Sequence, residues 1–424
     1  MKILYIAFYY NHSNEIASKR LQGVAKYLPN YGFEPIAIVP KTSNETVHLD
    51  NVRVIETEYE DMISKFLPNR KGSEVTNEQT SQSEPNPLIS KAISVAGEVF
   101  AYPDGMKYWR KPAFDKCCEI IEHEDICGII SSSFPITSHT IAHDLKEKYN
   151  IPWIADLRDL WNMNPYVSHT SIRNYFEKRL ELKTFENVDV LTTTTPLAKK
   201  TLQNLHPTKK IVSVVSGYDP EDFKNIRQTE YNDKLTLMYA GSLYGGKRDP
   251  SILFDALNQL INENKIDPEK ITVNFYGDST NILELSRKYN VESIVNIHGR
   301  ITHKEVLQNQ MNSDVLLLIS WMDESEKMFI PGKVYEYIAS KKPILSIGYK
   351  EGSLKELIEK TNIGYHVSDV SETKKAIYDY YLKYINNELK YCGNEFADAY
   401  SMENTAKNYA KILGEIIWIH MWKS

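Results

Sequence analysis

MKILYIAFYYNHSNEIASKRLQGVAKYLPNYGFEPIAIV, residues 1–39, is the stretch from which the fold is read. An apolar run from Ile3 to Tyr10 gives way to the turn residues Asn11, Ser13 and Asn14. Leu21, Val24, Ala25 and Leu28 then recur at helical spacing, so the pattern predicts a helix from Ser18 to Leu28. Gly32 stops that helix, and Pro35 to Val39 reads as a second strand. Strand, helix and strand in this order form a right-handed βαβ unit, which seeds a parallel sheet with helices on both faces.

The rhythm breaks from Glu56 to about Asn86, where the sequence is polar and has no apolar period. A mobile surface excursion is expected over about 57–100. Met62, Ile63, Phe66 and Leu67 on one side, and Leu88, Ile89, Ala92, Ile93 and Ala96 on the other, have helical spacing. They suit either an amphipathic pair touching a membrane or lipid-linked substrate, or helices packed on their own domain. Strands then follow at Ile126 to Ser131, Trp153 to Leu157 and Val190 to Thr194, with helices near Thr137 to Lys148 and Asn174 to Asn187. One Rossmann-like domain is therefore predicted over 1–212.

A second series begins at Leu235. Its strands are expected at Leu235 to Ala240, Thr272 to Tyr276, Ile294 to Ile297, Val315 to Ile319 and Pro343 to Ile347, in a domain over 213–400. Residues 401–424 read as a helix with Ala406, Tyr409, Ala410, Leu413 and Ile417 on one side, crossing back to the first domain, and its apolar last residues are expected to pack. The predicted fold class is α/β, two Rossmann-like domains facing each other across a cleft, where the C-terminal strand ends would receive a ligand.

A chain of 424 residues suits two domains. Its 50 Lys and Arg against 56 Asp and Glu argue against broad nucleic-acid binding, which needs a basic footprint. Cys117, Cys118, Cys127 and Cys392 show neither metal-ligand spacing nor the density of a disulfide scaffold, as expected in a reduced cytosol. The opening run lacks a small-residue cleavage site, and no segment approaches the roughly 18 apolar residues of a membrane span. A cytoplasmic protein, peripheral to a membrane at most, is expected.

Three constellations carry chemistry. In YAGSLYGGKRDP, Tyr239 to Pro250, a strand turns through a Gly-rich loop into a helix, with Asp249 at the N-cap, Pro250 at the first helical position and Leu253, Ala256, Leu257 and Leu260 as its buried stripe. Gly241, Gly245 and Gly246 allow close backbone approach, and Ser242, Lys247 and Arg248 beside a helix N-terminus suit a diphosphate. The alternative is a solvated loop.

In FIPGKVYEYIASKKPI, Phe329 to Ile344, Pro331 marks a helix start and Val334, Tyr337 and Ile338 its apolar face. Lys333, Glu336 and Ser340 are expected on one polar face, where a carboxylate can accept two ribose hydroxyls or pair with the lysine.

The third lies in the first domain. WIADLRDLW, Trp153 to Trp161, is expected to expose Asp156, Arg158 and Asp159 at a strand end, and SSSFPITSH, Ser131 to His139, brings Ser133 and His139 to the neighbouring one. Carboxylates, an arginine and a histidine so placed suit hydroxyl binding, charge stabilisation or proton transfer, the alternative being that each is structural.

With GSLYGG, PGKVYEYIASKKP and DLRDLW, the sequence resembles retaining glycosyltransferases of family 4, of GT-B fold, in the branch common in bacterial capsule and O-antigen clusters. SGYDPEDF, Ser216 to Phe223, is similar to the family's NGYDP segment, with Ser216 in place of Asn. The resemblance implies sugar transfer from a nucleotide-diphospho-sugar, UDP ahead of GDP, with retention of configuration and neither cofactor nor metal. The acceptor it implies is a glycan or a polyprenyl-diphosphate-linked saccharide, at the inner face of a membrane.

By the resemblance, Glu336 holds the ribose, and Lys247, Arg248 and the backbone at Gly332 hold the diphosphate. The first domain would then supply the acceptor side, with His139, Asp156 and Arg158 in the chemistry and Asp159 and Ser133 on the acceptor. The sequence departs from the family at Met328, eight residues before Glu336, where many members carry a second glutamate; Glu324 and Glu326 lie nearby. The first loop lacks the family's glycines, and Lys19 and Arg20 are expected to assist the diphosphate. Two other readings stay open: a nucleotide-sugar 2-epimerase of the same fold and a catalytically silent partner subunit.

Overall fold

The computed structural model describes residues 1–11, 16–42, 46–60, 102–167, 169–229, 232–277 and 281–423. Most of the polar excursion, including Phe66, Leu67, Leu88 and Ile89, therefore lies outside the described residues. Two compact units result, Met1–Ser216 with Met402–Ser424, and Gly217–Ser401.

The first unit is built on seven parallel strands, β1 (Lys2–Ile6), β2 (Glu34–Pro40), β3 (Arg53–Thr57), β4 (Ile126–Ser132), β5 (Trp153–Leu157), β6 (Val190–Thr193) and β7 (Ile211–Ser213). Their order is β3-β2-β1-β4-β5-β6-β7, with Leu4 paired to Ile36 on one side and Ile129 on the other. Central strands buried on both faces read as continuous apolar runs, and Ile3 to Ile6 are all buried. The apolar run nonetheless outlasts the strand: Phe8–Asn11 is a 3-10 turn, and Phe8 stays buried by meeting the Trp109 ring edge-on at 5.3 Å.

Helix α1 (Ile16–Tyr27) buries Leu21, Val24 and Ala25, and a left-handed Gly32 (φ 85°) closes the 3-10 turn that follows it. Helix α2 (Arg110–His123) was not anticipated, because its buried side rests on Ala113, Cys117, Cys118 and Ile120 rather than on a leucine stripe. Helices α3 (Thr137–Tyr149), α4 (Ser171–Thr184) and α5 (Pro196–Leu205) complete the crossovers.

The second unit has six parallel strands, β8 (Leu235–Ala240), β9 (Ile271–Tyr276), β10 (Val295–Gly299), β11 (Val315–Ile319), β12 (Ile344–Ile347) and β13 (Gly364–Val367). Their order is β10-β9-β8-β11-β12-β13, so the winding reverses between β8 and β11. Every residue of β8 and β11 is buried. Around them run α6 (Ser251–Asn262), α7 (Ile282–Lys288), α8 (His303–Asn312), α9 (Lys333–Ser340), α10 (Ser353–Thr361) and α11 (Val370–Ile385). Leu253, Phe254, Ala256, Leu257 and Leu260 of α6 form part of the core. This helix starts at Ser251, after Asp249 has taken the Ser251 amide at 2.9 Å in a turn.

The chain leaves the first unit and returns to it at one place. Tyr218 N donates to Tyr400 O at 2.9 Å, and Gly217 lies so close to Ser401 that a Cβ there would meet its carbonyl carbon. Helix α12 (Met402–Lys423) then belongs to the first unit. Its Tyr409 reaches Asp156 at the end of β5, whereas Leu413 and Ile417 lie within 4 Å of where a Cβ on Gly128 would stand, near the start of β4.

Beyond Ile417 the helix has passed the beginning of the sheet. Packing of the last apolar residues therefore fails: Trp418 is 61% and Trp422 76% exposed, their rings 5.5 Å apart. No described helix is long and apolar enough to cross a membrane.

Candidate functional site

At the point where the second sheet reverses its winding, neighbouring crossovers leave in opposite directions and open a crevice at the C-terminal strand ends. Gly241 follows β8 here and Ser320 follows β11. Gly241 has φ +138°, and its N–H donates to Tyr276 O at 2.9 Å. Gly277 backs directly onto it: a Cβ at Gly277 would stand 2.6 Å from Gly241 O. Two chain segments this close leave room for backbone alone.

The loop after Gly241 is pinned by buried Leu243, whose carbonyl accepts the N–H groups of Gly246 and Arg248, each at 3.1 Å. Tyr239 OH donates to Ser242 O at 2.9 Å, and Ser242 Oγ accepts the Tyr244 N–H at 3.1 Å. Tyr244, Gly245 and Gly246 run consecutively through positive φ (50°, 60° and 89°). The consequence is an exposed bend that carries Lys247 into solvent and leaves Arg248 half-buried.

Lys247 Nζ lies 4.4 Å from the centroid of Trp321, just beyond β11. Arg248 stacks on Tyr244 at 4.4 Å, donates to Ser242 O at 3.5 Å, and has a buried Nε without a hydrogen-bond partner among the described residues. Ser320 Oγ is buried and likewise without a partner. Two cations, an unused N–H and an unused hydroxyl, all at strand ends, suit an anionic ligand rich in acceptor oxygens.

Helix α9 approaches the same strand ends. Val334, Tyr337 and Ile338 are buried as the pattern predicts, and Tyr335 with them. The expected polar face is corrected: Ser340 is buried, its hydroxyl 2.9 Å from Gln310 Oε1. Lys333 turns inward, where Nζ donates to Ala240 O at 2.7 Å and stands 4.4 Å from the Tyr239 ring centroid. Loss of water around the ammonium, and then the Arg248 charge, push its pKa down to about 7, against a smaller pull upward from Glu336.

Glu336 is half-buried, and its Oε1 lies 3.0 Å from His303 Nε2. His303 opens α8 behind a capping box in which Thr302 and Glu305 hold each other's backbone N–H groups. Gly332 is the N-cap of α9. Glu324 pairs with Lys327 at 2.8 Å on an exposed turn.

The structure therefore brings Gly241, Ser242, Lys247, Arg248, Lys333 and Glu336 to one end of one sheet, with Gly245 and Gly246 on the exposed bend. Trp321, Tyr239, Ser320 and His303 were missed. A tryptophan straight after the apolar β11 was a usable signal, whereas nothing in the sequence marks His303 beyond the capping pattern around it.

In the first unit the arrangement differs from expectation. Asp156 is not exposed: its carboxylate accepts Tyr409 OH at 2.6 Å, Ser132 Oγ at 2.9 Å and Thr192 Oγ1 at 3.0 Å, with Arg20 Nη2 at 3.6 Å. Burial alone would raise its pKa, but Arg20 and the hydroxyl donors hold it below the usual carboxylate range. Arg20 is thus buried and also donates to Val214 O at 3.1 Å, rather than reaching for a ligand; Lys19 is half-buried.

His139 is fully enclosed, 2.8 Å from Ser131 Oγ and edge-on to Phe185, and burial lowers its pKa to about 3. Ser133 is buried against the carbonyls of Asp156 and Asp159. Only Arg158 and Asp159 are partly exposed, paired at 3.3 Å.

No family model and no curated protein matches the sequence. Among solved structures, sucrose-phosphate synthase from Thermosynechococcus elongatus is similar over 99% of this chain and 100% of its own, with TM-score 0.65 and 12% identity. A glycosyltransferase from Rickettsia africae ESF-5 is similar over 98% of each chain (TM-score 0.60, 15% identity). Anabaena HepE in complex with UDP is similar over 98% of this chain and 100% of its own (TM-score 0.59, 14% identity). The fold is α/β and is that of GT-B glycosyltransferases.

Proposed function

We propose that this chain is a retaining glycosyltransferase that moves a sugar from a nucleotide-diphospho-sugar to an acceptor hydroxyl. The observation that carries the reading is the convergence of Lys247, Arg248 and the Gly241 bend with the half-buried Glu336 at the reversal point of the second sheet. Cations and free donors suit a diphosphate, and a carboxylate held from behind by His303 suits the two hydroxyls of a ribose. UDP is the favoured nucleotide, in keeping with the Anabaena structure.

As the bond from the sugar to the diphosphate breaks, negative charge grows on the leaving oxygen. Lys247 and Arg248 stabilise that charge more than they stabilise the intact donor, and only this difference accelerates the reaction. Glu336 binds the part of the donor that does not react, and so orients it. In the first unit, Arg158 and Asp159 are the partly exposed candidates for the acceptor side, while Asp156, His139 and Ser133 serve there by shaping the strand ends.

The acceptor in this reading is a growing surface glycan, on a polyprenyl diphosphate at the cytoplasmic face of a membrane, which makes the protein a peripheral one. A thermal-shift screen of nucleotide diphosphates and their sugars, followed by donor turnover with and without acceptor, tests it. Stabilisation by UDP and turnover only with acceptor are expected. Donor converted to an epimer without acceptor, or no response to any nucleotide, would overturn it.

A further inference from the structure

Lys333 is set apart from the exposed Lys247 and the half-buried Arg248 of the same site. Its ammonium has three N–H donors, and among the described residues it has one acceptor, Ala240 O at 2.7 Å. Around it stand the Tyr239 ring from β8, Arg248 from the loop and, on its own helix, Glu336, whose carboxylate is 3.0 Å from His303. His303 from α8 faces that carboxylate rather than the lysine. Lys247 is directed at Trp321.

A half-buried ammonium beside a guanidinium, with no ion pair to a carboxylate among the described residues, is less well held as a cation while the site is empty. An anion arriving over the Gly241 bend reverses the local sign of charge and favours the protonated form.

Resting on the reading of this site as a diphosphate site, we infer that Lys333 is its proton-accepting member: it supports the strand end at Ala240 while neutral, and takes one proton from solvent as the ligand's phosphates bind. The depressed pKa agrees with this placement. Lys333 thereby tunes affinity to pH. Where the lysine is neutral the incoming anion must bring a proton with it, so affinity falls with rising pH, by up to about tenfold per unit.

The test is isothermal titration of the full chain with UDP, and separately with inorganic pyrophosphate, at about pH 8.5 in buffers of widely different ionisation enthalpy. The slope of observed enthalpy against buffer enthalpy should report uptake of roughly 0.5–1 proton per ligand. Lys333→Arg, which cannot deprotonate, should bind without uptake, and Lys333→Met should lose both uptake and affinity. His303→Asn should keep the uptake, which separates the lysine from the imidazole at the site.

Binding with a buffer-independent enthalpy in the unaltered protein would overturn the linkage while leaving the diphosphate reading in place. Absence of binding by both probes at pH 7 and above would overturn both. Because the decisive slope is measured on the unaltered protein, a variant that melts early does not blunt the test.

Discussion

Lys333 Nζ stands 2.5 Å from where the Cβ of any residue larger than glycine at position 241 would be. The two positions are 92 residues apart in sequence, so the lysine's reach and the absence of a side chain at 241 are one design. Gly241→Ala would also force an L-residue into φ +138°, a strain of about 1–3 kcal/mol. The expected result is a lower melting temperature together with weakened UDP binding in calorimetry. A variant with unaltered melting and affinity would mean that the strand end adapts freely.

Lys247 is exposed, with its ammonium over the Trp321 ring. Lys247→Ala should therefore leave the melting profile unchanged and lower donor turnover by a factor on the order of 10²–10³, the range for removing one transition-state donor. Near-normal turnover would take Lys247 out of the mechanism.

His303 lies against Glu336, so in the proposed reading it acts through that carboxylate as a positioning residue. His303→Ala should raise the KM for donor several-fold with little change in kcat, and His303→Asn should recover part of the loss. A fall in kcat at constant KM would contradict this assignment.

Asp156 is a buried charge with Arg20 and Tyr409 as partners. Asp156→Ala takes the carboxylate from beside the buried guanidinium and the tyrosine hydroxyl, and removing one partner of such a pair costs about 3–5 kcal/mol. Chemical denaturation should show that loss. A variant of ordinary stability but no activity would instead return Asp156 to the catalytic candidates.

His139 titrates near 3 when folded, against an ordinary value of 6.5. As pH falls from 6.5 towards 3, the unfolded chain takes up a proton that the folded one refuses, so the stability His139 contributes above that window is progressively lost. His139→Gln removes this titration. Denaturation at pH 7 and pH 5 should show a smaller loss in the variant than in the unaltered protein; equal losses would mean that His139 is not a source of acid sensitivity.

The fold was legible because its information is local and periodic. The spacing of Leu21, Val24 and Ala25, or of Leu253, Ala256, Leu257 and Leu260, reports burial directly. The loop from Gly241 to Arg248 was legible for a similar reason, since its bend requires residues that tolerate positive φ.

What the sequence withheld was direction. Lys333 and Ser340 have the spacing of a polar face, but Gly241 gives the lysine a place to enter and Gln310 gives the serine an internal partner. Asp156 sits at a strand end like an exposed acid, yet Arg20 and Tyr409, 136 residues before it and 253 after, enclose it. Such partners are non-local, and no window of sequence contains them together.

Helix α12 closes the first unit with residues synthesised only after the whole of the second. During translation the second unit can complete its core first, while Asp156 and Arg20 wait without the tyrosine hydroxyl that joins them. The earlier-begun half of the molecule is thus the later to be finished, and a chain that ends before Tyr409 lacks the hydroxyl that joins Asp156 to Arg20.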